Sequence, residues 1–237
     1  MDRQLSLKIF QNLCNIFGTE EVVKTRRTIF CVIDSVLQIT DSTVVSSGSR
    51  AEGLDLKDSD YDQMFVETLF QVYENKSKVS FFENKIPLIM DITDTKPGFT
   101  KLKLNNPRYK DILNINQWVK MVQGEAYISS KLFREHDLQH FMISHGLSQS
   151  IPDGTYDSVR SFRCKEWITP VHQWFFRSRS SWPDHRLVPS VIEYGVLFVP
   201  IGCKESLKED LEWRISFAMA EKQLIFPFLI PTCYVTH

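Results

Sequence analysis

The segment that decides the fold of this chain reads Ser47-Gly48-Ser49-Arg50-Ala51-Glu52-Gly53-Leu54-Asp55-Leu56-Lys57-Asp58-Ser59-Asp60-Tyr61-Asp62-Gln63-Met64-Phe65-Val66. A Gly-Ser pair is followed by an Asp-x-Asp sequence that opens an apolar run. Residues two apart in a strand point to the same face, so Asp60 and Asp62 should present their carboxylates side by side. Such carboxylates repel each other unless a divalent cation lies between them. Their hard oxygen atoms suit Mg²⁺ or Mn²⁺, so the segment predicts a metal site.

The Gly48-Ser49 pair supplies groups that a phosphate would need. Glycine lets the main chain approach a phosphate closely, and serine offers a hydroxyl and an N–H donor. The alternative interpretation is a solvated loop before an ordinary strand, because acidic residues flank many strands. The Gly-Ser pair, its spacing from the two acids and the apolar run together favour the metal site.

The composition limits the size and the charge of the protein. The chain has 237 residues, enough for one large domain or two small ones, and its hydrophobic content of 43% supports a core. Lys and Arg number 28 against 29 Asp and Glu. This balance excludes the strongly basic composition that marks many nucleic-acid-binding proteins.

The cysteines and the N-terminus indicate a reduced, intracellular setting. The five cysteines are odd in number and form no C-x-x-C pair: they are Cys14, Cys31, Cys164, Cys203 and Cys233. Cysteines scattered in this way favour buried thiols over disulfides or a zinc site, so Cys164 with His172 and Cys233 with His237 are interpreted as coincidental pairs. The sequence has no signal-peptide pattern and no apolar stretch of transmembrane length, so we expect a cytoplasmic protein, with the nucleus as alternative and no membrane partner.

The hydrophobic pattern predicts an α+β fold. Thr19 is a candidate N-cap, and Glu20 and Glu21 suit a first helical turn. Helices are predicted at 19–39, 116–140 and 212–226, and strands at 61–69, 86–92, 99–104 and 156–162. Residues 43–45 should form a short strand or a loop approach, and residues 191–200 a short helix or strand followed by an apolar strand. This order lacks regular βαβ alternation and predicts a mixed sheet flanked by helices.

Several blocks of the sequence resemble the cyclic GMP-AMP synthase-like and Mab-twenty-one-like nucleotidyltransferases. The segment from Gly48-Ser49 through Asp60-Tyr61-Asp62-Gln63-Met64-Phe65 is similar to the active-site segment of that family. The further similar blocks lie in the same order, from about Thr19 to Phe226: Pro97-Gly98-Phe99-Thr100-Lys101-Leu102, Gly124-Glu125-Ala126 at the start of a long family helix, Cys164-Lys165-Glu166-Trp167, Arg177-Ser178-Arg179-Ser180-Ser181-Trp182-Pro183, Leu197-Phe198-Val199-Pro200-Ile201-Gly202, and Glu212-Trp213-Arg214-Ile215-Ser216-Phe217 with Glu221-Lys222.

The resemblance implies a polymerase-β-like nucleotidyltransferase core. It divides the chain into an N-terminal helical region (1–42), the core (43–211) and the start of a C-terminal helical lobe (212–237) that is expected to be largely missing. In that family three acids hold two Mg²⁺ ions, and by position the third is Asp157. The segment 145–156 is shorter than in active relatives, so Asp91 and Asp94, each on or beside a predicted strand, stay as alternatives.

The block around Trp213 resembles the segment that reads the nucleotide base. The resemblance implies that Arg214 donates to a base edge or a phosphate, Ser216 adds a hydroxyl and Glu221 accepts from a base amine. Ala218 stands where an active relative carries serine. A structural role for Arg214, pairing with a core carboxylate, is the alternative.

If active, an enzyme of this kind would join ATP and GTP into a cyclic dinucleotide in nucleic-acid-sensing innate immune signalling. The alternatives are a non-catalytic Mab-like binding or developmental regulatory protein, or an inactive truncated isoform. Relatives bind double-stranded RNA or DNA along a basic helix, and the candidates for such a contact here are Lys24, Arg26 and Arg27, which a solvated helix face would also explain. The zinc-binding insertion of the mammalian DNA sensor is absent.

Overall fold

A computed structural model describes residues 3–226 except 40, 80–84, 113–114, 137, 175, 178–182 and 184. These residues form seven α-helices: α1 (Arg3–Phe17), α2 (Glu20–Val36), α3 (Gly48–Ala51), α4 (Tyr109–Ile112), α5 (Ser130–Glu135), α6 (Val188–Tyr194) and α7 (Ala218–Ile225). They also form thirteen strands: β1 (Gln38–Ile39), β2 (Ser42–Ser47), β3 (Tyr61–Glu67), β4 (Phe70–Tyr73), β5 (Ile86–Asp91), β6 (Phe99–Leu104), β7 (Val119–Val122), β8 (Glu125–Ile128), β9 (Ile143–His145), β10 (Ser148–Ser150), β11 (Tyr156–Cys164), β12 (Val196–Val199) and β13 (Glu212–Ser216). Short 3₁₀ turns cover Lys76–Lys78, Asn116–Trp118, Thr169–Trp174 and Glu209–Leu211.

The strands form one curled, mixed sheet, which confirms the predicted α+β class with helices beside the sheet. The strand order is β1-β2-β3-β11-β12-β13-β6-β5-β4, with β9 and β10 added beside β11 and the β7–β8 hairpin beside β6. The pairs β3–β11 and β4–β5 are parallel, and the other pairs are antiparallel. Strand β11 joins two parts of the sheet, because its first six residues pair with β3 and its last three with β12.

Aromatic side chains fill the main core between the sheet and the surrounding segments. Phe133, Phe162 and Trp213 are completely buried and contact one another with ring centroids 4.8–5.3 Å apart. The indole N–H of Trp213 donates to the carbonyl oxygen of Ile128 at 2.9 Å, so this buried polar atom is satisfied. A second, smaller cluster joins Met64 of β3 to its neighbours on the same face: Val45, Val66, Val159, Leu197, Val199 and Met219.

Helix α2 lies against the opposite face of β3. Thr19 caps it by accepting from the N–H of Val22 at 3.5 Å, as the sequence predicted. The ring of Phe30 stacks on Tyr61, and Tyr61 stacks on Tyr156 of β11. Tyr61 therefore occupies the helix-covered face of β3, and its neighbours Asp60 and Asp62 are left to the other face.

The predicted helix at 116–140 is wrong. Residues 116–118 form a 3₁₀ turn, β7 and β8 form an antiparallel hairpin, and of the residues described in this range only Ser130–Glu135 are α-helical. The hairpin turns at Gln123 and Gly124, whose φ angles are +51° and +83°, the pair of positive values that a two-residue type I′ turn needs. The resemblance of Gly124-Glu125-Ala126 to a helix start is thereby corrected too, because Glu125 and Ala126 begin β8.

The predicted helix at 212–226 is half wrong. Residues 212–216 form β13, a strand in the middle of the sheet between β12 and β6, and only Ala218–Ile225 is helical. The first residues assigned to a C-terminal helical lobe are therefore part of the sheet. The strands predicted at 86–92, 99–104 and 156–162 are confirmed as β5, β6 and β11, whereas the one at 61–69 ends earlier, at Glu67.

Candidate metal centre

Two parallel strands bring three aspartates together. Asp157 of β11 is paired in register with Asp62 of β3, so their side chains lie on the same face of the sheet. Asp60 lies two residues before Asp62, immediately ahead of the strand. One carboxylate oxygen from each of the three lies within 4.8 Å of the others. Among the described residues, no other group of three or more His, Cys, Asp or Glu side chains is placed to share an ion.

The electrostatics of the cluster favour a bound cation. Burial, followed by the negative charges of Asp60 and Asp157, raises the pKa of Asp62 from 3.8 to about 6. A divalent cation would remove the mutual repulsion, and carboxylate oxygens are the ligands that Mg²⁺ and Mn²⁺ prefer. The donor set therefore fits a hard divalent cation.

The hairpin β9–β10 supports Asp157 from the side. Ser148 of β10 is buried, and its hydroxyl oxygen lies 3.1 Å from Oδ2 of Asp157 and 2.8 Å from the carbonyl oxygen of His145. The single hydroxyl proton can be donated to either acceptor. Ser148 thus limits where the Asp157 carboxylate can lie, and no pattern in the sequence predicts this role.

Gly48 lies directly against the acidic cluster. It follows Ser47, which is paired with Asp62 across β2 and β3. A Cβ atom at position 48 would lie 1.9 Å from Oδ2 of Asp62, and the φ angle of Gly48 is +71°, which L-residues rarely adopt. Only glycine therefore lets the turn and the carboxylate come this close. Ser49 follows in the four-residue helix α3 and is half-buried.

A cleft of about 250 Å³ opens beside Gly48. Its walls come from β2, the α3 turn, β3 and α7: they are Val45, Ser47, Gly48, Ala51, Glu52, Met64, Ala218, Met219, Glu221 and Lys222. Burial is the main reason that the pKa of Glu52 is raised, with a further contribution from the charge of Glu221. A concave site that combines apolar side chains with a few polar groups is typical of a small-molecule site.

The three residues proposed to read a base are placed differently from one another. Glu221 lines the cleft, in the first turn of α7. Arg214 is exposed on β13, and Ser216 ends that strand with its hydroxyl 3.4 Å from the N–H of Ala218. Neither Arg214 nor Ser216 is among the described residues that line the cleft.

The alternative acids are engaged elsewhere. Asp91 pairs with the ammonium of Lys101 at 2.9 Å and accepts from the hydroxyl of Tyr127 at 2.8 Å. Burial alone would raise the pKa of Asp91, but the hydrogen bonds from Lys101, Thr93 and Tyr127 outweigh it and hold this pKa at about 2. Asp94 faces Lys208 at 3.3 Å. The geometry thus places Asp157, and neither alternative, beside Asp60 and Asp62.

The basic cluster on α2 makes contacts within the protein. A guanidinium nitrogen of Arg26 donates to the carbonyl oxygen of Phe17 at 2.6 Å. Arg27 donates to the carbonyl oxygen of Glu52 at 2.6 Å and lies over the ring of Phe226. Lys24 forms an exposed ion pair with Glu20. The two arginines therefore tie α2 to its neighbours, and the contact with nucleic acid stays a prediction.

The cysteine–histidine pairs show no metal arrangement where they are described. Cys164 is buried in the core, which raises the pKa of its thiol to about 11, and Nε2 of His172 lies 2.8 Å from the carbonyl oxygen of Trp167. Cys233 and His237 lie outside the described residues.

No protein-family model matches this chain, and a search of the curated proteins finds no similar sequence. Within the described part of the chain, no helix combines the length and the apolar character needed to cross a bilayer. The geometry of the acidic cluster and of the cleft is therefore what indicates a function.

Proposed function

We propose that this chain is a metal-dependent nucleotidyltransferase of the polymerase-β-like kind that the sequence resembles, and that it joins ATP and GTP into a cyclic dinucleotide. One observation carries the proposal: Asp62 and Asp157 are in register on adjacent parallel strands, with Asp60 beside them and Gly48 against Asp62. This places a tight glycine turn, three converging carboxylates and a cleft at one end of β3.

The roles follow from the chemistry of each group. Asp60, Asp62 and Asp157 would hold Mg²⁺ or Mn²⁺, which stabilise the attacking and leaving oxygens of an in-line displacement. The main chain at Gly48 and the hydroxyl of Ser49 would hold the terminal phosphates. In each transfer a nucleoside hydroxyl oxygen forms a bond to the α-phosphorus, the bond to the bridging oxygen breaks, pyrophosphate leaves with that electron pair, and the hydroxyl proton is released.

The cleft would receive the base and sugar. Met64 and Met219 offer apolar surface to a base, and the carboxylate of Glu221 would accept from an exocyclic amine. Arg214 and Ser216 lie outside the described lining, so their contact with nucleotide would need a part of the substrate that extends beyond it. The charges in the lining are mostly negative, so a polyphosphate should bind only together with divalent cations.

Binding and catalysis need separate tests. Calorimetric titration with Mn²⁺, followed by a non-hydrolysable ATP analogue, should give saturable binding to the wild type and none to Asp62→Asn. The matched control is Asp41→Asn, which removes the same charge from an exposed residue at the other end of β2. Equal binding of metal by all three proteins would overturn the site.

Catalysis is tested with labelled ATP and GTP, with and without double-stranded RNA or DNA. A cyclic dinucleotide and pyrophosphate are the expected products. If the protein binds metal and nucleotide but forms no product, the enzymatic function is refuted and the alternative of a non-catalytic binding protein takes its place.

A further inference from the structure

A closed ring of three hydrogen bonds joins Lys222, Asp34 and Ser46. The ammonium of Lys222 donates to Oδ2 of Asp34 at 2.7 Å and to the carbonyl oxygen of Ser46 at 2.8 Å. The N–H of Ser46 donates to Oδ1 of Asp34 at 2.8 Å. Both main-chain polar groups of Ser46 are therefore bound by side chains from two different helices.

The ring joins α7 and β2, which line the cleft, to α2, and it lies away from solvent. Lys222 belongs to α7, Asp34 to α2 and Ser46 to β2. The side chain of Lys222 is 6% exposed and that of Asp34 is 18% exposed. Lys222 also lines the cleft, between α7 and the turn that holds Gly48.

The net stability that such a pair contributes is small, because removing two charges from water offsets most of their attraction. The ring instead determines the position of Ser46 relative to α2 and α7. Ser46 directly precedes Ser47, the residue paired with Asp62, and Gly48 follows in contact with the Asp62 carboxylate. A shift of Ser46 would therefore move the turn relative to the acidic cluster, and displacements of about 1 Å at a site can cost ~100-fold in rate.

We propose that Lys222 is a positioning residue: with Asp34 it holds the Ser47–Gly48 turn and α7 at the separation that a nucleoside triphosphate needs. The inference rests on the proposed function for its ligand, although the hold on the turn can be measured without one. The ammonium of Lys222 is bound to Asp34 and to the carbonyl oxygen of Ser46, so its role is to hold these groups.

The decisive variant removes both charges of the pair. Lys222→Met alone leaves Asp34 buried without its partner and should lower the melting temperature strongly. Asp34→Asn/Lys222→Met leaves no buried charge, so most of the melting temperature should return. The matched control is Asp94→Asn/Lys208→Met, which removes an exposed Lys–Asp pair away from the cleft.

Three readouts then separate positioning from stability. In the double variant, hydrogen exchange of the amides at 46–49 should be roughly tenfold faster, because the carbonyl oxygen of Ser46 has lost its hydrogen bond from Lys222. The affinity for a non-hydrolysable ATP analogue in the presence of Mn²⁺ should fall by roughly tenfold or more. The affinity for Mn²⁺ alone should stay within about threefold, since Asp62 and Asp157 belong to strands β3 and β11 and Asp60 directly precedes β3. The control pair should change none of the three.

The outcomes are distinct. Wild-type exchange and wild-type analogue affinity in a double variant with a recovered melting temperature would overturn the proposal and leave the pair only a structural role. If the wild type binds no analogue at all, the proposed function fails, and hydrogen exchange alone decides whether Lys222 holds the turn. If the double variant does not fold, Asp34→Glu, which keeps both charges of the pair but changes the distance at which Ser46 is held, takes its place in the exchange measurement with the same two outcomes.

Discussion

Asp62 and Asp157 lie directly opposite each other on two adjacent parallel strands, although most of the sheet is encoded between them. Their side chains share one face, and burial together with the charges of Asp60 and Asp157 makes Asp62 costly to ionise. The same repulsion that raises the pKa of Asp62 in the metal-free protein would be relieved by a bound divalent cation. The first two predictions follow from it.

Removing the charge at position 62 should stabilise the protein in the absence of metal. The pKa of Asp62 is raised from 3.8 to about 6 in the folded state, so its contribution favours folding below pH 4 and is lost as the pH rises through 6. In the presence of a chelator at pH 7, we expect the free energy of unfolding of Asp62→Asn to be higher than that of the wild type by on the order of 1–2 kcal/mol. This figure allows for solvent screening. Urea unfolding from pH 4 to pH 8 measures the difference, which should vanish near pH 4. If the difference in the free energy of unfolding does not depend on pH, the raised pKa of Asp62 is not its cause.

Affinity for divalent metal should fall in acid. Because binding requires the ionised form of Asp62, the Mn²⁺ affinity should drop by about tenfold per pH unit below pH 6 and level off above it. Isothermal titration at several pH values tests this, and Asp41→Asn should follow the wild-type curve. A flat profile between pH 5 and pH 7 would show that Asp62 is not a ligand.

Gly48→Ala should damage the site more than the backbone angle alone explains. The added Cβ would collide with Oδ2 of Asp62, whereas at Gly124, which also has a positive φ angle, it would meet nothing within 4 Å. We expect Gly124→Ala to cost about 1 kcal/mol and Gly48→Ala to cost about 2–4 kcal/mol and to abolish Mn²⁺ binding. Chemical denaturation and metal titration of both variants give the comparison, and equal effects would argue against the close approach.

Asp91 should matter for stability and not for metal. Its pKa is held at about 2, so its ion pair with Lys101 stabilises the fold above pH 4 and is lost as the pH falls towards 2. We expect Asp91→Asn to lower the free energy of unfolding by on the order of 2 kcal/mol at pH 7 while the Mn²⁺ affinity stays unchanged. Loss of metal binding in a folded Asp91→Asn protein would reopen the choice of the third acid.

The basic cluster of α2 should divide into two structural arginines, Arg26 and Arg27, and a dispensable lysine, Lys24. Arg27 is half-buried and bonded to the carbonyl oxygen of Glu52, whereas Lys24 only forms an exposed ion pair. Arg27→Ala should lower stability by about 1–3 kcal/mol, and Lys24→Ala by less than about 0.5 kcal/mol. Thermal melts measure both. If the cluster also contacts double-stranded RNA or DNA, Lys24→Ala will weaken binding and reduce its salt dependence without changing the melt.

A local pattern predicts the structure correctly where one short segment contains all the necessary information. The N-cap at Thr19, the strands β5 and β6 and the same-face placement of Asp60 and Asp62 each depend on residues close together in sequence. In these cases period, capping and spacing act over a few residues, so the pattern and the structure agree.

The errors occurred where two structures share one apolar spacing. Trp118, Val122 and Ile128 fit a helical stripe, yet the positive φ angles at Gln123 and Gly124 fold this segment into a hairpin. Trp213 and Ile215 also fit a helix, but the sheet needs a strand between β12 and β6, and burial of Trp213 there outweighs local propensity. A Gln-Gly pair between two β-prone runs was the signal that could have been used.

By itself, the sequence determined the α+β class, the pair of acids on one face of β3 and the glycine turn before them, because each depends on neighbouring residues and on the period of a strand. Only the tertiary structure decided that Asp157 is the acid that joins them, that Asp91 is bound by Lys101, and that Lys222 is tied to Asp34. These partners are distant in the chain, and no local pattern encodes which distant groups meet. Strand register and the packing of α7 against α2 set those distances, and they are fixed only when the whole sheet closes.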